Sequence, residues 1–178
     1  MITETLIDGH EWLRIGERDW VDPLDPTFAQ QRGGRWNPPG SWRTLYLNED
    51  LVTARLNLRA FIADWPYEPE DLRSETGPHL AVATLPRRQQ VADVHSPDGV
   101  VGVGLPASYP LDDTGRLVGE EECQPIGERI KDAGLRGVRC RSAQVRDGAG
   151  RELAWFPATV RSRATLANRL EFDRWYWT

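Results

Sequence analysis

A chain of 178 residues is long enough for one domain with a sizeable core and too short for two comfortable ones. Hydrophobic residues make up 39% and charged residues 28%, an ordinary soluble balance, and no apolar run approaches the roughly 18 residues that span a bilayer. A net charge of −5 argues against a nucleic-acid or anionic-membrane partner engaged through bulk charge.

Met1 to Thr5 has neither a basic segment nor an apolar run, so no secretory signal is expected and the setting reads as cytoplasmic. His10 to Ile15 reads as a short strand ended by Gly16. Asp22-Pro23-Leu24-Asp25-Pro26 is turn-rich and leads into Gln31 to Leu47, the segment that organises the rest. There Gly33, Gly34, Pro38, Pro39 and Gly40 impose a tight, irregular backbone carrying Arg35, Trp36 and Asn37. A simple reversal needs only a few turn residues, so this density of recognition groups points to a binding loop. The plain alternative is a Gly/Pro surface loop with solvated arginines. Trp42 to Leu47 has the composition of a half-buried strand. Asp50 is placed to cap a helix from Leu51 to about Ala63, whose stripe is Leu51, Ala54, Leu58, Phe61 and Ile62. Asn57 falls on the same side, either as a satisfied core group or as part of a site.

Trp65 to Pro78 is an acidic connection, followed by strands at His79 to Leu85 and Gln90 to Val94. Gly99 to Pro110 reads as a bulged strand or a loop, and its glycines lack the strand–GxGxxG–helix order of a dinucleotide fingerprint. A helix is expected from near Pro125 to Gly134, with Ile126, Ile130 and Ala133 inward. Gly137 to Cys140 is a brief strand, Gln144 to Arg151 a polar turn, and Leu153 to Pro157 an apolar run. Leu166 to Trp177 can supply one or two closing strands. Short strands, two helices and no regular βα alternation predict a single α+β domain over residues 1–178, with small mixed or antiparallel sheets.

The usual catalytic signatures are missing. Cys123 and Cys140 read as two reduced thiols, and His10, His79 and His95 show no metal-ligand spacing, so no metal is expected. The Glu120-Glu121-Glu122 run reads as solvated surface. What remains is a polar set, Arg35, Tyr46, Asn57 and Ser142, with Arg14 a further candidate. Arginine forks suit phosphates, and hydroxyl and amide groups suit a ribose.

Arg32-Gly-Gly-Arg-Trp-Asn-Pro-Pro-Gly40, Thr44-Leu-Tyr-Leu47, the helix after it and Gly137-Val-Arg-Cys-Arg-Ser-Ala143 followed by Leu153-Ala-Trp-Phe-Pro157 resemble the RES domain family. The resemblance implies a fold similar to ADP-ribosyltransferases and a toxin partnered by an Xre-type antitoxin. It also implies NAD+ as substrate, cleaved at the nicotinamide–ribose bond by hydrolysis, phosphorolysis or ADP-ribosyl transfer. By position it makes Arg35, Asn57 and Ser142 catalytic candidates and Arg14, Arg35, Tyr46 and Ser142 NAD+-binding candidates. Arg14 and Arg35 would hold the pyrophosphate, Tyr46 the nicotinamide side, and Ser142 the ribose or nicotinamide. Homodimerisation is a further implication, to which Trp175-Tyr176-Trp177 could contribute unless those rings pack on the core.

One position departs from the family. Its glutamate, on the helix after the Leu-Tyr-Leu strand, is Asn57 here. Asparagine keeps hydrogen bonding but brings neither charge nor basicity, and each loss of about 1.4 kcal/mol slows a reaction tenfold. Two readings follow, an NAD+-cleaving enzyme with altered chemistry or a nucleotide- or antitoxin-binding module without turnover. Glu49 is a conceivable substitute that nothing in the sequence aims inward. On this reading Asn57→Glu would raise NAD+ cleavage.

Overall fold

The computed structural model, which describes residues 1–178, joins the expected strands in one sheet, most of them buried in continuous runs rather than in alternation. In chain order the strands are β1 (Thr3–Thr5), β2 (Trp12–Gly16), β3 (Leu45–Asn48), β4 (His79–Thr84), β5 (Gln90–Val94), β6 (Gly137–Arg141), β7 (Arg151–Trp155) and β8 (Thr165–Leu170). The helices are α1 (Thr27–Arg32), α2 (Leu51–Phe61), α3 (Pro97–Val103), α4 (Glu120–Asp132) and α5 (Phe172–Trp175). Strand order is β1-β5-β6-β7-β3-β2-β4-β8, antiparallel throughout except for the parallel β5–β6 pair. The fold is α+β, and the separate small sheets of the sequence reading merge into one.

Both faces of the sheet centre are covered, which is why β3 and β7 bury residues of both parities. Leu45, Leu47, Leu153 and Trp155 meet Trp12 and Ala81 on one face. On the other, Val138, Cys140 and Ala154 pack beneath Ile126 and Ile130 of α4. Ala54 and Leu58 of α2, with Ile62, pack on Ile15, Leu80, Phe172 and Trp175. Asp50 caps α2 as expected, its Oδ1 accepting the Thr53 amide hydrogen at 2.7 Å.

Four expectations change. Gly99 to Pro110 is not a strand: Pro97–Val103 is helix α3, capped by Ser96, whose hydroxyl accepts from the Gly99 amide at 3.0 Å. Helix α4 starts at Glu120 rather than near Pro125, so the acidic run is its first turn, facing the positive end of the helix dipole. Its inward stripe is Cys123, Ile126, Gly127 and Ile130, and Ala133 is exposed. The C-terminal segment supplies one strand and then α5, with Trp175 fully buried on the core. Helix α1, six residues between Pro26 and Gly33, was not expected at all.

Strands β2 and β3 are neighbours joined at a single register, Leu13 opposite Asn48. Beyond that pair they diverge. The Asn48 side chain bridges the start of the split, its Nδ2 donating to the Leu13 carbonyl at 3.2 Å. The split exposes the interior of the sheet, and the candidate site lies in it.

Candidate functional site

Along β3, Tyr46 and Asn48 share the face covered by α2, and the β3–β7 register sets Glu152 directly opposite Asn48. On its other side Glu152 faces Cys140 of β6. A carboxylate therefore stands mid-sheet on a covered face. Helix α2 brings Asn57 over it, and the Asn57 Nδ2 donates to Glu152 Oε1 at 2.5 Å and to Asn48 Oδ1 at 2.6 Å. The chain after β6 brings Ser142, fully buried, whose hydroxyl lies 2.6 Å from Glu152 Oε1 and 3.0 Å from Asn57 Oδ1. A hydroxyl has one hydrogen, and the shorter contact with the better acceptor takes it. Burial pushes the Glu152 carboxyl above its ordinary pKa, against the opposing pull of the Ser142 and Asn57 hydrogen bonds and the Arg35 charge.

Asn48, Asn57 and Glu152 border a cavity of about 200 Å³ in the β2–β3 split, lined also by Arg14, Ile15, Tyr46 and Phe61 among others. Arg14 belongs to the other face of β2 and also lines a neighbouring cavity of about 320 Å³ beside Trp20 and Phe28. Its guanidinium is held by Nη1 donating to the Pro23 carbonyl at 2.9 Å and sits 5.3 Å from the Trp20 ring centre. Burial lowers its pKa to about 10, which still leaves it charged near neutrality. A larger cavity of about 360 Å³, between Leu24, Arg43, Trp155 and Arg163, holds none of the sequence-predicted groups.

The Gly/Pro loop is stapled to the sheet by Tyr46. Its hydroxyl accepts the Trp36 amide hydrogen at 2.9 Å and donates to Asn37 Oδ1 at 2.8 Å. Two close approaches make this possible. A Cβ on Gly34 would lie 2.6 Å from the Tyr46 hydroxyl, and one on Gly127 of α4 would lie 1.9 Å from the Trp36 carbonyl oxygen. Gly33 takes φ +78°, open to glycine at low cost. Arg35 leaves this loop toward Tyr109, with Nη1 3.5 Å from the hydroxyl, and does not line the cavity.

The RES domain family model matches residues 11–174. The chain belongs to the RES domain family. Among solved structures it is similar to a chain of the Mycobacterium tuberculosis MbcT–MbcA toxin–antitoxin complex. The match has a TM-score of 0.74 and 20% identity, and covers 98% of this chain and 92% of that one. A search of curated proteins gives no match.

In RES terms, Arg14, Tyr46 and Asn57 meet at one cavity, Ser142 stands one hydrogen bond behind it, and Arg35 sits further along the loop. Glu49 does not substitute for the family glutamate, because both its oxygens bind the Arg139 guanidinium, at 2.8 and 2.5 Å. The carboxylate the sequence reading did not find is Glu152. Its signal was there in β7: Ala154 is an inward residue of a short strand, so Glu152, two positions earlier, shares its face. Glu4, Asp93 and His95 also converge, with candidate ligand atoms within 4.8 Å of one another. The Arg139 Nη1 lies 2.8 Å from Glu4 and 3.3 Å from His95, so a guanidinium already supplies positive charge there.

Proposed function

We propose that this RES domain binds NAD+ in the β2–β3 split and cleaves its nicotinamide–ribose bond. The observation that carries the reading is the convergence of Arg14, Tyr46, Asn57 and Glu152 on one cavity, with Ser142 donating to Glu152 and lying beside Asn57. The cavity beside Asn57 and Glu152 is small, and Arg14 links it to the second one beside Trp20 and Phe28. Together they suit an elongated dinucleotide: ribosyl-nicotinamide at Glu152, pyrophosphate at Arg14, and a base against the aromatic rings. Arg35, outside the lining, acts at longer range through its charge.

The partner in this reading is an antitoxin, which the fold likeness to a chain of a toxin–antitoxin complex supports; we propose the Xre type and a cytoplasmic setting. No helix is long and apolar enough to cross a membrane. Self-association gains no support from the C-terminal aromatics, since Trp175 and Phe172 are core residues and only Trp177 of the terminal trio is strongly exposed. The second reading, binding without turnover, is favoured by one observation, the asparagine at position 57.

Purified protein incubated with NAD+, with and without inorganic phosphate, is expected to release nicotinamide, measurable by chromatography. Products then tell water from phosphate as acceptor. No release above an enzyme-free control, with NAD+ still bound in calorimetry, would overturn cleavage in favour of the binding module.

A further inference from the structure

We infer that Glu152 of β7 is the catalytic carboxylate of this chain, and that Asn57 and Ser142 are positioning residues that fix it. The inference rests on the NAD+-cleaving reading. It turns the asparagine at position 57 from a missing group into the partner of a relocated one.

The geometry carries the argument. Both hydrogen bonds to Glu152 fall on Oε1, from Asn57 Nδ2 at 2.5 Å and from Ser142 at 2.6 Å. No protein group donates to Oε2, yet it is not among the buried polar atoms without a partner, so that oxygen is accessible from the cavity Glu152 lines. One oxygen is fixed and the other is presented. A side chain that served only as core polarity would bring both oxygens to protein donors. Asn57 is itself oriented by Asn48, so the chain of amides and hydroxyl leaves Glu152 little rotational freedom. Elsewhere in the cavity lining there is no second carboxylate, since Arg14, Ile15, Tyr46, Leu47, Asn48, Asn57 and Phe61 offer none.

The chemistry follows. The C1′–N1 bond of NAD+ breaks with its electron pair going to the pyridinium nitrogen, which leaves as neutral nicotinamide. Positive charge then resides on the ribosyl ring, where the Glu152 carboxylate stabilises it. A water oxygen bonds to C1′, and its proton passes to the carboxylate and on to solvent. The balance is NAD+ plus water giving ADP-ribose, nicotinamide and one proton. With inorganic phosphate as acceptor, a phosphate oxygen forms the bond instead. A carboxylate whose proton affinity is raised by burial is the better base for the water route.

Glu152→Gln keeps the shape and an acceptor for both Oε1 hydrogen bonds, so the variant is expected to melt cooperatively and bind NAD+ within about threefold of the parent. Nicotinamide release should fall at least about 100-fold in kcat. Adding Asn57→Glu to Glu152→Gln returns a carboxylate to the same spot from α2 and should recover at least about tenfold of that loss. A Glu152→Gln protein that folds and still cleaves within about threefold of the parent would overturn the assignment of Glu152 while leaving NAD+ cleavage standing. A parent protein that binds NAD+ and releases no nicotinamide would overturn both.

Discussion

Tyr46 commits its hydroxyl to the loop in front of it. It accepts from the Trp36 amide and donates to Asn37, and burial pushes its phenol far above the usual pKa, so it stays protonated and able to donate. Tyr46→Phe leaves a buried amide hydrogen and a carboxamide oxygen without that partner. Removing it should cost about 1–3 kcal/mol, read from denaturant unfolding. Because the loop is then loosened while the ring remains, KM for NAD+ should rise more than kcat falls. An unchanged stability would mean the hydroxyl holds nothing. The visibility of each site residue in the sequence follows from its setting. Arg35 and Tyr46 stand in a dense motif, and Ser142 in a second one. Glu152 lies directly after a turn that looks like surface, beside Arg151; its parity with Ala154 puts it on the inner face, and the register of β7 against β3 and β6 sets it between Asn48 and Cys140. Asn57→Glu changes meaning for the same reason. With Glu152 within hydrogen-bond distance, two carboxylates at that spot cannot both ionise, so the substitution alone brings no gain of cleavage.

Helix α4 sets where the loop can sit. Gly127 is in mid-helix, where alanine would ordinarily be favoured by about 1 kcal/mol. A Cβ there would lie 1.9 Å from the Trp36 carbonyl oxygen, a backbone atom that cannot rotate away. Overpacking of this kind costs about 1–3 kcal/mol, so the clash outweighs the propensity and Gly127→Ala is expected to lower stability in chemical unfolding. The Trp36 amide is bonded to Tyr46, so the displaced loop should also weaken NAD+ binding. Strands β2 to β6 and helix α2 were legible because composition and the Asp50 cap agree there, whereas the three-residue β1 was not expected and β7 was read only as an apolar run. The other helices were missed, or in the case of α4 started too late, for reasons of their own chemistry. Helix α3 carries Gly99 and Gly102 among valines, which reads as a bulged strand or a loop, and is fixed by Ser96 and by Asp93 of β5 accepting the Ser96 and His95 amide hydrogens. Helix α1 is too short to show a period, and α4 contains Pro125, which read as its start rather than its interior.

Across the whole molecule, carboxylates pull the dependence of stability on pH in opposite directions. Arg139 of β6 joins Glu4 of β1 to Glu49 beyond β3, a tie across five neighbouring strands. Burial raises the Glu4 carboxyl, but the His95 hydrogen bond and the Arg139 charge outweigh it and hold its pKa below the ordinary 4.5. Asp93 is depressed likewise: burial raises it, and the hydrogen bonds from Ser96 and His95 outweigh that. A lowered folded-state pKa gives stability present above the ordinary value and lost as pH falls through the lowered one. Glu152 has the opposite sign, because its folded-state pKa is raised. Its favourable contribution is complete below the ordinary 4.5 and is lost as pH rises through the raised value, where the fold must bury a charge. Glu152→Gln removes that ionisation and leaves Glu4 and Asp93 untouched. Thermal melts across a pH series should therefore show parent and variant falling together in acid, with the variant gaining Tm on the parent as pH rises from about 4.5 toward neutrality. A gap that stays constant over that range would mean that Glu152 does not titrate there, and that the strain of burying its charge is relieved by the Ser142 and Asn57 bonds. A widening gap would mean that the fold gives up stability to keep a carboxylate in the β2–β3 split.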